Sequence, residues 1–537
     1  MIKLIKKLIK KTSAYKIFFI DKNVRKFIKF NKKKWLSQRP SKKPSKSLIL
    51  IDLFDWYPFV YFFSYIANIL SQKFDCNLRY FYFPLYKSKA LKFKLSIYKI
   101  EKIFNSFNVK VGLNSFFFLK KKSKITQVKK IFINKILSKD DLVKYKYKNI
   151  KIGDLIYDSY LRANVSPTVD LKNPYLLKLF VDAHIYFDAI ESYFRKNNVK
   201  ITIVSHHVYI QYGLIARYAI SKLIPVIQIH YLKFGQENFN LIRLDRYGLK
   251  DYPYYNYRAE FKKIERKQKQ KKLLMGKKLI KNRIAGIKDY TSVYMTKNSF
   301  LDSKIKLKNV NNENKKIIIF SHNFYDSPHR HRFMIFPDFY EYIIFFSELS
   351  LKYSQIQWFI KPHPNDTASS DHIFDKIRLD FPSVNVLEKD ISNKEILKLK
   401  PDLIITNHST AGHEFAYFKI PVLNTGDNIH INYNFNIHAR SKKDIVYYIE
   451  NLKNLKNRLN FNKKYIYEFM YMHYVHYYNR FNRENLIGKN YFYNSRILSN
   501  KKIVENDSNL LDWYVKNDKK VSENIKKYII NFIDEEI

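Results

Sequence analysis

The chain has 537 residues, too many for one ordinary hydrophobic core, so two domains with extensions are expected. Its formal net charge of +52 points to anionic surroundings such as lipid, nucleic acid or a polyanionic glycan. Cys76 is the single cysteine, which excludes intrachain disulfides and cysteine-rich zinc sites.

Further exclusions follow from pattern. No zinc-finger spacing and no RNA-binding sheet motif is present, so nucleic acid is not the expected partner. No apolar run nears the ~20 residues of a membrane helix, and no signal-peptide cleavage pattern is seen. With a reducing compartment, these make a cytoplasmic location the expectation, with peripheral contact to the inner membrane face.

Residues 1–46 read as a basic arm, with 17 Lys or Arg and one acid, Asp21. Ile2, Ile5, Leu8 and Ile9 share a helical face flanked by Lys3, Lys6, Lys7 and Lys10, a pattern that suits anionic lipid or a solvated tail. Pro40 and Pro44 close the arm. Residues 47–309 are read as a first Rossmann-like domain. Leu48 to Leu53 is a strand, Tyr57 to Gln72 a helix and Leu78 to Phe83 a strand, a βαβ unit with Asp52 and Asp55 at its crevice end. Residues 84–150 are mixed and basic and give no clear element. Ile152 to Arg162 reads as a loop entering a helix, with Asp154, Asp158 and Arg162 at one-face spacing. A long helix from Pro174 to Lys196 precedes the strand Ile201 to Val204, which ends at Ser205, His206 and His207. The helix Gln211 to Lys222 and the strand Val226 to Ile229, ending at His230, repeat the unit. Residues 258–283 read as a solvated helix dense in Lys and Arg, and VNNENKK over 310–316 as the linker.

Residues 316–440 are read as a second Rossmann-like domain, and 441–537 as a helical extension returning to the first. Ile317 to Phe320 opens it. The loop Ser321 to Arg332 holds His322, Asp326, His329, Arg330, His331 and Arg332, and suits contact with a donor phosphate or an acceptor as well as it suits a solvated loop. His-x-His without a matched carboxylate pattern is weak as a metal site, so none is expected. Three continuous apolar runs end in polar loops: Ile356 to Ile360, Leu403 to Ile405, and Val422 to Leu423. Such runs are buried parallel strands, whose carboxyl ends carry the ligand crevice.

At that edge Pro362 and Pro364 keep Lys361 and His363 extended, so the two side chains project together, as a phosphate requires. Asn407, His408, Ser409 and Thr410 precede a helix from Ala411 to about Phe418, whose free N–H groups favour an anion. Gly412 leaves room for a ligand to approach. Glu414 lies four residues after Thr410, one too many for a capping box, so its carboxylate is assigned either to ribose hydroxyls or to the helix dipole.

KPHP, then Ser-Thr-Ala-Gly-His-Glu opening a helix, then PVLNTG, resembles bacterial capsule polysaccharide biosynthesis proteins. IGDLIYDSYLR (152–162) and FSHNFYDSPHRHRFMIFPDFYEY (320–342) strengthen the resemblance, which spans much of 150–430. Those proteins resemble GT-B glycosyltransferases. The resemblance implies two Rossmann-like doubly wound domains facing a cleft, a nucleotide-sugar donor held as substrate by the second, no cofactor, and transfer to a growing glycan or glycolipid. Donor contacts fall on Lys361, His363, Asn407, His408, Ser409, Thr410 and Glu414, with loop contacts from His329 and Arg330. Candidates for the base are Asp55, His206, His207 and Asp326. Two other readings stay open: transfer of glycerophosphate from a CDP-linked polyol, and a non-catalytic basic scaffold on anionic polymer or membrane.

Overall fold

The computed structural model describes residues 21–36, 46–54, 56–84, 90–114, 122–232, 238–247, 252–287, 299–301, 314–364, 370–476 and 508–537. In the first half β1 (Ser47–Asp52), β2 (Asn77–Tyr82) and β3 (Lys110–Asn114) are followed by a short hairpin, β4 (Lys146–Tyr147) and β5 (Ile150–Lys151). Then come β6 (Asn198–Val204), β7 (Val226–Leu232) and β8 (Asn238–Arg243). The sheet order is β3-β2-β1-β6-β7-β8, parallel except for β8, which runs antiparallel to β7.

The second sheet takes β9 (Lys315–Phe320), β10 (Ile356–Lys361), β11 (Val384–Val386), β12 (Leu403–Thr406), β13 (Val422–Asn424) and β14 (Ile437–His438). Their order is β11-β10-β9-β12-β13-β14, all parallel. The protein is thus an α/β molecule with two doubly wound Rossmann-like sheets. The continuous apolar runs are explained by helices on both faces. Ile317, Ile319, Trp358, Ile360, Leu403 and Ile405 enter one core layer, while Ile318, Phe320, Phe359 and Ile404 enter the layer on the other face. In each sheet the strand order reverses beside the first strand, between β1 and β6 and between β9 and β12. A crevice opens at such a reversal, outside the carboxyl ends of the strands.

Several expectations need correction. Within the supposed arm, Lys22–Asn31 is a helix capped by Asp21, with Val24 and Phe27 buried in the first core. The apolar face at Ile2, Ile5, Leu8 and Ile9, and Pro40 and Pro44, lie outside the described residues. Residues 84–150 hold the helices Ala90–Ser106, Lys122–Lys135 and Lys139–Lys144 as well as β3. The basic stretch 258–283 is two helices, Tyr257–Lys263 and Arg266–Ile284. The second is not wholly solvated, since Leu273, Gly276, Leu279, Ile280 and Arg283 are buried. Gly276 lets it cross the helix Lys463–Tyr471 closely: a Cβ there would lie 1.9 Å from the Tyr467 carbonyl oxygen. Lys315 and Lys316 belong to β9 rather than to the linker. The helix Ser508–Glu536 packs on the first core through Leu511, Tyr514, Ile525, Ile529 and Phe532. Among the described residues no helix is long and apolar enough to cross a membrane.

Candidate functional site

The loop after β9 makes direct contacts with the first half of the chain. His329, in the loop after β9, bonds through Nδ1 to Asp158 Oδ1 at 2.6 Å. Tyr157 and Thr168 both donate to Asp338, the latter at 2.6 Å, and Asp338 caps the helix Phe339–Lys352. Between the loops after β9, β12 and β13 lies a pocket enclosing about 430 Å³, open solvent included. His322, Asp326, Arg330, His331, Asn407 and His408 supply most of its polar lining.

The strand reversal beside β1 and β6 builds a relay. Asp52 is buried and accepts the Ser205 hydroxyl proton and, at 3.2 Å, the Ser205 N–H. The Ser205 oxygen then accepts His206 Nδ1–H at 3.0 Å. That bond fixes the tautomer and leaves the His206 Nε2 lone pair as an acceptor. Phe54, Phe59 and Tyr212 surround the ring. Burial, then Arg330 and Arg162, push His206 down to about 4, so it is neutral at neutral pH.

His207 has a different environment. It donates from Nδ1 to Gln228 Oε1 at 2.6 Å, so its Nε2 accepts from the Tyr252 hydroxyl at 3.0 Å. Both nitrogens are engaged inside the protein, and the residue is 4% exposed. His207 is therefore not the base expected of it; it is a brace. Asp55 lies outside the described residues.

Asp326 reaches solvent in the pocket, and the Ser327 N–H donates to its Oδ1 at 2.8 Å. Burial alone would raise its carboxyl; His322, the Ser327 N–H, Arg330 and Arg162 bring it below the usual carboxylate value. It is ionised at neutral pH in a pocket otherwise rich in imidazole and guanidinium.

On β10, Lys361 is 5% exposed and lies over the Phe320 ring, 5.6 Å from its centre. Burial lowers it to about 8 against the pull of Glu414 and Asp390. His363 stacks at 5.6 Å on His322, which itself stacks on Phe339 at 4.2 Å. Burial, His322 and Lys361 bring His363 to about 3. His408 stacks on His331 at 3.8 Å and is brought to about 3 by burial, then by His322 and Arg330. At the reversal between β9 and β12, Asn407 Nδ2 and Ser321 Oγ are buried with no hydrogen-bond partner among the described residues. The Asn407 Oδ1 is taken by the Thr425 hydroxyl. Both groups can donate, and an unpaired buried donor is costly, so this edge favours an acceptor. Ser321 was not among the sequence candidates, although its place at the end of an apolar strand marks it.

Two residues of the second loop differ from expectation. The helix Ala411–Tyr417 forms, with Ser409 Oγ accepting the Ala411 N–H at 3.1 Å and Thr410 giving no side-chain cap. Glu414, however, is 1% exposed. One oxygen takes Arg283 Nε at 2.6 Å, and the other takes Asn393 Nδ2 at 2.7 Å and Ser299 Oγ at 3.5 Å. Its carboxylate has no face left for ribose, so the ribose assignment is withdrawn. Gly412 is likewise filled from within, because a Cβ would lie 2.5 Å from Asn436 Nδ2 and His430 Nδ1. His329, expected to touch substrate, is the domain bridge described above.

Three tyrosines missed in the sequence hold the pocket from behind. The Tyr252 hydroxyl meets His207 and accepts Arg330 Nε at 3.3 Å. Tyr254 meets His331 Nδ1 at 2.9 Å, and Tyr255 donates to Asp427 Oδ2 at 2.6 Å. Arg330, His331 and Asp427 all line the pocket. Among the described residues no three His, Cys, Asp or Glu side chains stand where they could share a metal ion.

No family model matches the chain, and no curated protein matches it. Among solved structures, KpsC of Thermosulfurimonas dismutans, a beta Kdo 2,4 transferase, is 11% identical over 51% of this chain and 79% of its own, with a TM-score of 0.32. The UDP-GlcNAc 2-epimerase of Neisseria meningitidis, bound to UDP-GlcNAc, is 12% identical over 80% and 98%, with a TM-score of 0.25. That of Methanocaldococcus jannaschii, with UDP-GlcNAc and UDP, is 11% identical over 79% and 97%, with a TM-score of 0.24. At these values the likenesses carry no argument about the reaction. The fold rests on the two sheets themselves.

Proposed function

We propose that the protein is a glycosyltransferase that moves a sugar from a nucleotide-activated donor to a cell-surface glycan or glycolipid. One observation carries the reading. The strand reversal of the second sheet carries buried donors at Ser321 and Asn407 without a partner among the described residues, Lys361 ends the neighbouring strand, and the pocket at this edge is lined by Arg330 and by Asp326, a carboxylate held ionised that reaches solvent. Donor groups of this kind stabilise the charge that appears on a departing nucleotide phosphate. The motif resemblance to capsule biosynthesis proteins supports the same chemistry.

In the proposed step the acceptor hydroxyl gives its proton to Asp326 as its oxygen bonds to the anomeric carbon. The bond from that carbon to the phosphate oxygen breaks, and its electron pair leaves with the nucleotide. Arg330, Lys361, Asn407 and Ser321 receive the phosphate; His206 Nε2, fixed by Asp52 and Ser205, accepts a hydrogen bond from the acceptor. Binding of the nucleotide itself then needs no divalent cation.

The test is nucleotide release from a panel of nucleotide sugars, with nucleotide affinity measured by calorimetry with and without EDTA. Asp326→Asn is expected to lower turnover by about 10²- to 10⁴-fold while nucleotide affinity stays near that of the parent. Release from no donor, or affinity that vanishes with EDTA and returns with magnesium, counts against the proposal. A scaffold without catalysis predicts that Asp326→Asn and Lys361→Met change nothing.

A further inference from the structure

The helix Arg266–Ile284 shows two faces of different chemistry. Inward, Leu273, Gly276, Leu279, Ile280 and Arg283 are buried. Outward, Lys267, Lys271, Lys278 and Lys281 are exposed. Leu274, at the centre of that face, is 53% exposed, and Met275 beside it 40%. The positions 267, 271, 274, 278 and 281 step by four and three, so they form one stripe along the helix. No acid interrupts the helix.

Two lysines off the stripe have local partners. Lys269 Nζ reaches the Lys262 carbonyl at 3.1 Å, and Lys272 lies 5.3 Å from the Tyr471 ring centre. Among the described residues, none of the four stripe lysines is in an ion pair. A face meant only for water has no use for Leu274 and Met275 at its middle. A face meant for another protein's apolar groove has no use for four unpaired lysines around them. A bilayer with anionic headgroups uses both: the ammonium groups stay at the phosphates and the apolar side chains reach the acyl boundary.

We propose that this outward stripe docks the protein on an anionic bilayer. The same helix clamps Glu414 through Arg283 and rests on the Tyr467 carbonyl at Gly276, so a docked helix carries the second sheet with it. A lipid-linked acceptor would then meet the cleft at the membrane surface. That last consequence rests on the transferase reading; the docking itself does not.

The test is co-sedimentation of the full chain with phosphatidylcholine vesicles, with and without phosphatidylglycerol, beside binding to heparin as a soluble polyanion. The parent is expected to bind only the anionic vesicles. Replacing Lys267, Lys271, Lys278 and Lys281 together by Gln is expected to weaken vesicle binding by at least ~tenfold. Leu274→Gln with Met275→Gln is expected to weaken vesicle binding but leave heparin binding unchanged. Since all six positions are exposed, the thermal midpoint serves as the folding control. Vesicle binding by the lysine variant equal to the parent's overturns the proposal. So does an unaltered response to the Leu274 and Met275 changes, which would make the stripe a site for soluble polyanions. Neither readout uses turnover, so failure here leaves the transferase reading to its own test.

Discussion

Glu414 and Arg283 are each about 1% exposed and 2.6 Å apart, and this pair decides what one residue can do. Removing one member of a buried ion pair leaves the other charge without compensation, at about 3–5 kcal/mol. Glu414→Gln is therefore expected to lower the denaturant midpoint sharply, and Glu414→Leu with Arg283→Met to recover much of the loss. If Glu414→Gln unfolds like the parent and loses only nucleotide affinity, the ribose assignment returns. The sequence offered no route to the pair, because Arg283 lies 131 positions away. The same holds for His207, whose brace Tyr252 is 45 residues distant, and for Gly412, whose neighbours are Asn436 and His430. The placement of Lys361, His408 and Asp326 was legible, because position at or after a strand's carboxyl end follows from local pattern alone. Partners brought by the fold do not.

One element that joins the loops of the two sheets is the short segment Tyr252 to Tyr255. Each of its three hydroxyls holds a residue on a different loop: His207 after β6, His331 after β9 and Asp427 after β13. A neutral hydrogen bond is worth roughly 0.5–1.5 kcal/mol, and one to a charged group more. The triple change of Tyr252, Tyr254 and Tyr255 to Phe is expected to speed hydrogen exchange in 321–332 and 424–430, with the strands little changed. Exchange that rises evenly over both sheets would mean that the tyrosines serve general stability instead. Among the elements themselves, β1, β6, β9, β10 and β12 were readable because both their faces are apolar. β3 was not, since Lys110 and Val111 on this edge strand are exposed and its apolar run is short. The helix Arg266–Ile284 was misread as solvated because Lys outnumbers the buried Leu and Ile that fix it.

For the whole molecule the buried imidazoles set an acid limit. His184, His206, His207, His363, His408, His438 and His473 are brought from 6.5 to about 3 or 4, first by burial. The unfolded chain binds these protons below about 6.5 and the native chain does not, so stability is present above that value and lost as pH falls. At roughly 1 kcal/mol per group per pH unit, several together rival the about 5–15 kcal/mol of a whole domain. The thermal midpoint is expected to fall steeply between about pH 6.5 and 5 and to stay flat above; a flat profile through that range would mean that the imidazoles reach water. A different limit comes from the order in which the chain is made. The helix Tyr57–Phe74 is covered on one side by Lys22–Asn31 and by Ser508–Glu536, through Tyr61 stacked on Tyr514 at 4.0 Å and Asp518 receiving Tyr61, Tyr65 and Lys34. During synthesis that aromatic face stands bare while some four hundred intervening residues are translated. The second sheet, contiguous in sequence, can close on the ribosome well before the first is finished. A nascent chain stalled just short of residue 508 is thus expected to carry a folded second sheet and a first one whose aromatic face is still open.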